Sequence, residues 1–169
     1  MKSLVPFQYL LTAYYAYFQS IINYGVIIWG NSKKVINILK IQKKILRIIT
    51  NSNYTAHCRP IFKNLRIMTI INIYIYELLL YVKRNLNSYQ LRMDFHHYHT
   101  RNMQLLEMPH CRLTLTKSNF ESMGIRIFNQ IPVDVKMLPF NVFKKKIKSW
   151  LLQNPMYNID EYFSSNIVL

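Results

Sequence analysis

Hydrophobic and polar positions recur at helical spacing from Lys33 to Thr50, and this is the clearest pattern in the chain. At 3.6 residues per turn, one side of the predicted helix collects apolar residues for a buried core: Val35, Ile38, Leu39, Ile45, Leu46 and Ile49. The other side holds five cations and no acidic residue: Lys33, Lys40, Lys43, Lys44 and Arg47. Such a side is either an ordinary solvated surface or a surface that attracts a polyanion.

Five further helices are predicted from the same kind of pattern. They are a buried helix from about Val5 to Ile28, a short helix beginning near Cys58, a buried helix from Ile67 to Arg84 capped by Thr69, a helix opened by a capping box of Ser118 and Glu121 and stopped by Pro132, and a helix from Asn141 to Gln153. Gly30, Asn31 and Ser32 predict the turn before the central helix.

Helical periodicity is lost between the two halves of the chain, where polar residues predict an irregular connector with short strands, one of them near Arg112 to Thr116. The expected fold is therefore mainly α, a helical bundle with a minor short β element in the 95–117 region. The chain divides into a helical region over 1–86, a connector over 87–117, a C-terminal helical pair over 118–155 and a frayed tail over 156–169.

Charge changes the picture, because 22 Lys and Arg face only 7 acids and the formal net charge is +15. The last predicted helix adds a second basic cluster, made of Lys144, Lys145, Lys146 and Lys148. A domain this basic repels itself unless a polyanion is near, so nucleic acid or an anionic membrane surface is the expected partner. Tyr98 and Arg101, in the least periodic segment, are further candidates for stacking on bases and for contacting phosphates.

Catalytic and metal-binding patterns are missing from the sequence. No two acids have a spacing that places a pair of carboxylates on one Mg²⁺ ion. Cys58, Cys111 and the five histidines match no common zinc spacing, and the three isolated glycines form no phosphate loop. We therefore expect no catalytic residue, no metal site, no cofactor and no small-molecule substrate.

Near the N-terminus, the thirty residues 3–32 carry no charge, and this stretch is long enough to span a membrane. Its content argues against this, because Gln8, Gln19 and Asn23 interrupt it and its tyrosines are spread throughout instead of gathering at two interfaces. The preferred interpretation is a helix buried against the central one. A small membrane-associated basic protein with an inserted N-terminal helix stays open as an alternative.

Six segments in order resemble the region beyond the polymerase core in reverse transcriptases of non-long-terminal-repeat retrotransposons, in particular the jockey-like elements. They are AYYAYFQSIINYGVIIWGNS (Ala13 to Ser32), ILKIQKKILRIIT (Ile38 to Thr50), CRPIFKNLRIMTI (Cys58 to Ile70), YHTRN (Tyr98 to Asn102), FESMGIRIFNQIP (Phe120 to Pro132) and FKKKIKSWLL (Phe143 to Leu152). The resemblance covers almost the whole chain.

This resemblance implies a helical thumb and C-terminal extension that grip RNA or an RNA/DNA duplex, with the helix of Lys40, Lys43, Lys44 and Arg47 following the duplex. It also implies a polymerase palm as partner and a nuclear or cytoplasmic location. The family's paired catalytic aspartates are absent, since the chain contains no Asp-Asp. We therefore expect a non-catalytic fragment of an RNA-directed DNA polymerase. A remnant product without a selected function is the remaining alternative.

Overall fold

The computed structural model describes residues 5–94, 103–108, 119–165 and 167, and they form a mainly α-helical structure, as the sequence predicts. The helices are α1 (Phe7–Ala13), a π-helical turn (Tyr14–Gln19), α2 (Ser20–Asn23), α3 (Val26–Trp29), α4 (Val35–Ile49), α5 (Cys58–Leu65), α6 (Ile70–Arg84), α7 (Phe120–Asn129), α8 (Val133–Lys136), α9 (Phe140–Gln153) and α10 (Ile159–Ser164).

Helix α6 lies at the centre of the fold and is buried on nearly every side, which confirms the prediction from its apolar sequence. Thr69 is its N-cap, and the Thr69 hydroxyl accepts a hydrogen bond from the backbone N–H of Asn72 at 3.1 Å. Helices α3, α4, α7 and α9 all pack against it. The core around α6 is one cluster of buried side chains that extends along the chain from Tyr14 to Tyr162.

The two C-terminal helices of the prediction are present with small differences. Helix α9 buries Phe143, Ile147 and Leu151 along one side, as their spacing predicts. Helix α7 begins one position later than its predicted capping box, because the side chain of Asn119 accepts the hydrogen bond from the backbone N–H of Phe120 at 2.7 Å. Ser118, the predicted cap, lies outside the described residues.

The prediction of one buried helix from Val5 to Ile28 is wrong in two respects. The helix ends at Asn23, because Tyr24 is extended and Gly25 adopts φ +67°, a left-handed conformation that glycine tolerates best. Only Tyr14, Ile22 and Val26 are buried in this segment, whereas Tyr17 and Tyr24 are 77% and 87% exposed. An all-round apolar sequence predicts burial on every side, but here only a narrow strip of the helix meets α4 and α6.

The tail is not frayed between residues 156 and 165, contrary to the prediction. The side chain of Asn72 donates hydrogen bonds to the carbonyl oxygens of Leu151 and Asn154, and the Thr69 hydroxyl donates to the carbonyl oxygen of Met156. Tyr162 is 1% exposed, and its hydroxyl donates to the carbonyl oxygen of Ile127 at 3.0 Å. These polar anchors hold α10 against the core.

The connector begins with two short 3₁₀ turns, Leu86–Ser88 and Arg92–Asp94. Within the described residues its β structure is a single antiparallel bridge between Leu91 and Leu106. The side chain of Asn129 binds both backbone polar groups of Leu106, at 2.9 and 3.0 Å, and so ties the connector to α7. The strand predicted near Arg112 to Thr116 lies outside the described residues.

Candidate nucleic-acid interface

The basic side of α4 is positioned by the residues that anchor the opposite side. Leu39, Gln42 and Leu46 are each at most 3% exposed and face the core. Lys33 in the preceding turn and Lys40 and Lys44 on α4 are exposed to solvent. The predicted amphipathic pattern therefore holds for the helix, with one polar residue in the buried side that the pattern does not explain.

Gln42 is that buried polar residue, and it fixes the rotation of α4. Its Nε2 donates to the hydroxyl of Tyr14 at 2.9 Å and to the carbonyl oxygen of Met68 at 3.0 Å. Its Oε1 accepts from the backbone N–H of Ile70 at 3.0 Å. One side chain thus joins the N-terminal segment, α4 and the start of α6, and all of its polar atoms are satisfied. With Gln42 held inward, Lys40 and Lys44 on the opposite side of α4 face the solvent.

Two of the predicted cations, Lys43 and Arg47, are half-buried and converge with residues that are distant in sequence. Nζ of Lys43 lies 3.3 Å from the ring centroid of Tyr157, and Cζ of Arg59 lies 4.8 Å from the same centroid. Cζ of Arg47 lies 5.9 Å from the ring centroid of Tyr54. We name these five residues the Tyr157 cluster. It combines three cations with two aromatic rings, which contact cations favourably through their π faces.

The backbone between α4 and α5 helps to hold the Tyr157 cluster in place. Nε of Arg47 donates to the carbonyl oxygen of Ala56 at 3.0 Å, which leaves the terminal guanidinium nitrogens available. Nη2 of Arg59 forms an ion pair with Glu161 of α10 and lies 2.8 Å from each carboxylate oxygen. Glu161 thus pairs with Arg59 of α5 and not with a cation of α4. The tail supplies one carboxylate beside three cations.

Electrostatics within the Tyr157 cluster favour binding of an anion. Burial lowers the pKa of Lys43, and the charges of Arg47 and Arg59 act in the same direction, opposed by Cys58 and Glu161. Burial also raises the pKa of Tyr157 to about 12. An ammonium group whose neighbours repel its charge gains free energy when an anion comes close, so an anion would relieve the repulsion among these cations.

The second predicted cluster lies on α9, where Lys144, Lys145, Lys146 and Lys148 are all exposed. Glu77 on α6 lies near it: burial raises the pKa of Glu77, and Arg84 and Lys144 oppose that shift. Lys148, Arg66 and Glu77 line a shared cavity of about 270 Å³. The positive charge of the α9 lysines is therefore partly balanced by the Glu77 carboxylate, without a direct ion pair.

Direct ion pairs are few in the described part of the chain, although all seven acidic residues lie there. The pairs are Arg59 with Glu161 and Arg92 with Glu107. Within the described residues, no predicted contact cation of α4 or α9, nor Lys33, has a carboxylate oxygen within 4.0 Å. These cations are therefore available to a polyanion.

The sequence predicts only part of this interface. Lys43 and Arg47 were identified from helical spacing, whereas Tyr54, Arg59, Tyr157 and Glu161 join them only through the fold. Arg59 is close to Phe62 in the sequence, but the aromatic ring over which its guanidinium lies is that of Tyr157. The predicted contacts Tyr98 and Arg101 lie outside the described residues, so their placement relative to either cluster stays a prediction.

No three His, Cys, Asp or Glu side chains come together in a way that could hold a metal ion in the part of the chain that the structure describes. Over the same residues no single helix is both long and apolar enough to cross a membrane. Helices α5 and α6 together meet the length and composition criteria, but they are bent by 50° relative to each other. In comparisons with protein-family models, with curated proteins and with solved structures, nothing matches this chain.

Proposed function

We propose that this chain binds RNA or an RNA/DNA duplex through phosphate contacts, as a non-catalytic fragment of a retrotransposon reverse transcriptase. The observation that carries the binding proposal is the set of cations on α4 and α9 that have no ion-pair partner in the described structure. Lysines on a rigid helix suit phosphate contacts, because a phosphate chain offers negative charge at regular intervals. Such contacts position a duplex without selecting its sequence.

Exposed aromatic side chains beside the cations support the same proposal. Tyr54 is 74% exposed and lies next to Arg47 at the end of α4. A tyrosine ring beside a guanidinium group can stack on an unpaired base while the guanidinium contacts the backbone. The identification as a reverse transcriptase fragment depends on the sequence resemblance, and the proposal of binding stands without it.

The test measures affinity for a fluorescein-labelled 20-base-pair RNA/DNA duplex by fluorescence anisotropy. We expect the double variant Lys40→Gln/Lys44→Gln to bind about ten times more weakly than the unmodified chain at low salt, because each phosphate contact contributes to affinity. Arg92→Gln is the control, since Arg92 is paired with Glu107 and lies outside the predicted contacts. Equal affinities for the double variant and the unmodified chain would refute the assignment of α4 as the contact surface.

A second candidate, attachment to an anionic membrane surface, is favoured by one observation. Tyr17, Ile21, Tyr24 and Ile28 are between 72% and 87% exposed, so the N-terminal segment presents apolar surface to the solvent. An amphipathic surface of this kind can lie in the headgroup region of a bilayer. Co-sedimentation with phosphatidylserine vesicles, but not with phosphatidylcholine vesicles, in the absence of duplex binding would favour this candidate over the first.

A further inference from the structure

A cavity of about 530 Å³ lies between the connector and helices α7 and α8. Most of its lining is apolar, and the side chains include Leu91, Met93, Leu106, Phe128, Val133 and Met137. Met93, Val133 and Met137 are between 40% and 76% exposed, so a molecule in solution can reach this part of the lining. Sites for small organic molecules are typically apolar cavities of about 300–1,000 Å³ with a few polar groups.

Lys136 of α8 is the polar group that distinguishes this cavity. It contributes to the lining although it is only 8% exposed. Its Nζ donates to the carbonyl oxygen of Asn129 at 3.1 Å and lies 5.6 Å from the ring centroid of Phe128, which lines the same cavity. An ammonium group has three N–H donors, and among the described residues Asn129 is the one acceptor that binds it. Burial lowers the pKa of Lys136 to about 8, so the group is still charged at pH 7.

The charged residues around Lys136 do not supply a counter-ion. Asp94 lines the cavity, but it is exposed, and its Oδ2 accepts a hydrogen bond from the backbone N–H of Leu91 at 2.9 Å. Asp94 lies more than 4.0 Å from any cation in the described structure. Lys83 donates to the carbonyl oxygen of Lys136 and so adds positive charge nearby. An apolar cavity therefore has an unpaired ammonium group in its lining.

This combination determines which kind of molecule fits. A charge that is buried without a counter-ion is unfavourable, and an anion that binds beside it offsets the cost. The apolar lining instead favours contact with apolar surface, and methionine side chains adapt to bodies of different shape. A ligand that satisfies both parts has an apolar body and one anionic group.

We propose that this cavity binds a small apolar carboxylic acid. Its hydrocarbon part contacts Met93, Val133 and Met137, and its carboxylate accepts a charge-assisted hydrogen bond from Nζ of Lys136. This inference is independent of nucleic-acid binding, because none of the predicted nucleic-acid contacts lines the cavity. No pattern in the sequence indicates this ligand, since the fold brings the lining together from the connector, α7 and α8.

The test uses N-phenyl-1-naphthylamine, a neutral apolar probe whose fluorescence rises when it is bound. Octanoate and 1-octanol compete with the probe at pH 7 and constant ionic strength, and they differ only in the end group. Lys136→Met removes the charge and keeps an apolar side chain of similar length. Lys145→Met is the matched control, because it removes one positive charge at an exposed lysine of α9 outside the cavity.

We expect Lys136→Met to weaken competition by octanoate about tenfold, because a hydrogen bond to a charged group is lost. Competition by octanol should change by less than about twofold, and Lys145→Met should have this small effect on both competitors. If Lys145→Met weakens octanoate as much as Lys136→Met does, octanoate is attracted by the general positive charge and the proposal is wrong. Equal effects of Lys136→Met on octanoate and octanol would also overturn it.

A second pair of variants tests whether the ligand occupies this cavity. Val133→Trp fills it from its exposed side, whereas Val142→Trp places the same side chain at an exposed position in the first turn of α9. Val133→Trp should weaken binding of the probe and of octanoate at least tenfold, and Val142→Trp should leave both unchanged. Binding that is insensitive to Val133→Trp, or no binding to the unmodified chain, would overturn the inference and leave the proposed function in place.

Discussion

Replacing Lys136 by methionine should stabilise the protein at neutral pH. Lys136 is 8% exposed, its Nζ donates to the carbonyl oxygen of Asn129 at 3.1 Å, and no carboxylate pairs with it among the described residues. Burial lowers its pKa from 10.5 to about 8. The ammonium form is therefore destabilised in the folded chain, and methionine fills a similar volume without a charge.

The size of the stabilisation by Lys136→Met, and its dependence on pH, follow from the lowered pKa of Lys136. Between about pH 8 and pH 10.5 the unfolded chain binds more protons at this lysine than the folded chain, so stability rises with pH across that interval. The full shift corresponds to about 3 kcal/mol. Methionine loses the hydrogen bond to Asn129, worth about 1 kcal/mol, so we expect a net stabilisation of about 2 kcal/mol at pH 7.

Urea denaturation at pH 7 and pH 10, followed by circular dichroism, measures the effect. At each pH, the free energy of unfolding of the unmodified chain is subtracted from that of Lys136→Met. The difference removes the contributions of titrating groups that both proteins share, including the buried tyrosines. The stabilisation should fall by at least about 2 kcal/mol between pH 7 and pH 10. Lys145→Met, at an exposed lysine of α9, should change stability by less than about 0.5 kcal/mol. A Lys136→Met gain that is the same at both pH values would refute the argument.

Three other substitutions test the packing of α4 and of the turn before it, and the charge of α4. Gln42→Leu should destabilise by about 3 kcal/mol in urea denaturation, because the buried Gln42 side chain makes three hydrogen bonds that are lost, whereas Gln8→Leu at an exposed position should not. Gly30→Ala should lower the melting temperature, since its Cβ would overlap Cδ2 of Tyr74 and lie 2.6 Å from the backbone oxygen of Val26. Arg47→Gln should make the slope of log affinity for the duplex against log salt concentration about one unit less negative. An unchanged slope would exclude Arg47 as a phosphate contact.

Helical spacing alone predicts the helices with one continuous buried side. Helices α4 and α9 begin and end within a few residues of their predicted limits, because each has an apolar stripe. Helix α6 is apolar on nearly every side, and the Thr69 cap marks its start. Prediction from helical spacing fails for the N-terminal segment, since its apolar residues surround the helix and do not show which side will be buried. The fold leaves Tyr17 and Tyr24 outside, where apolar composition predicts them inside.

The contacts that assemble the candidate site cannot be predicted from the spacing of residues in the sequence, for a different reason. Tyr157 and Glu161 lie about a hundred residues or more from Lys43 and Arg59 in the sequence, and the docking of α10 on the core through Tyr162 brings them together. Gln42 looks like a break in an apolar stripe until the fold supplies its three partners. Long-range polar contacts of this kind leave no periodic signal along the chain.

The most direct test of the central claim is the salt dependence of duplex binding by the unmodified chain. Dissociation constants for the 20-base-pair RNA/DNA duplex are measured by anisotropy across a series of potassium chloride concentrations. If about six of the α4 and α9 cations contact phosphates, log affinity should fall against log salt concentration with a slope of about −5. A slope near zero, or no binding at low salt, would contradict the account.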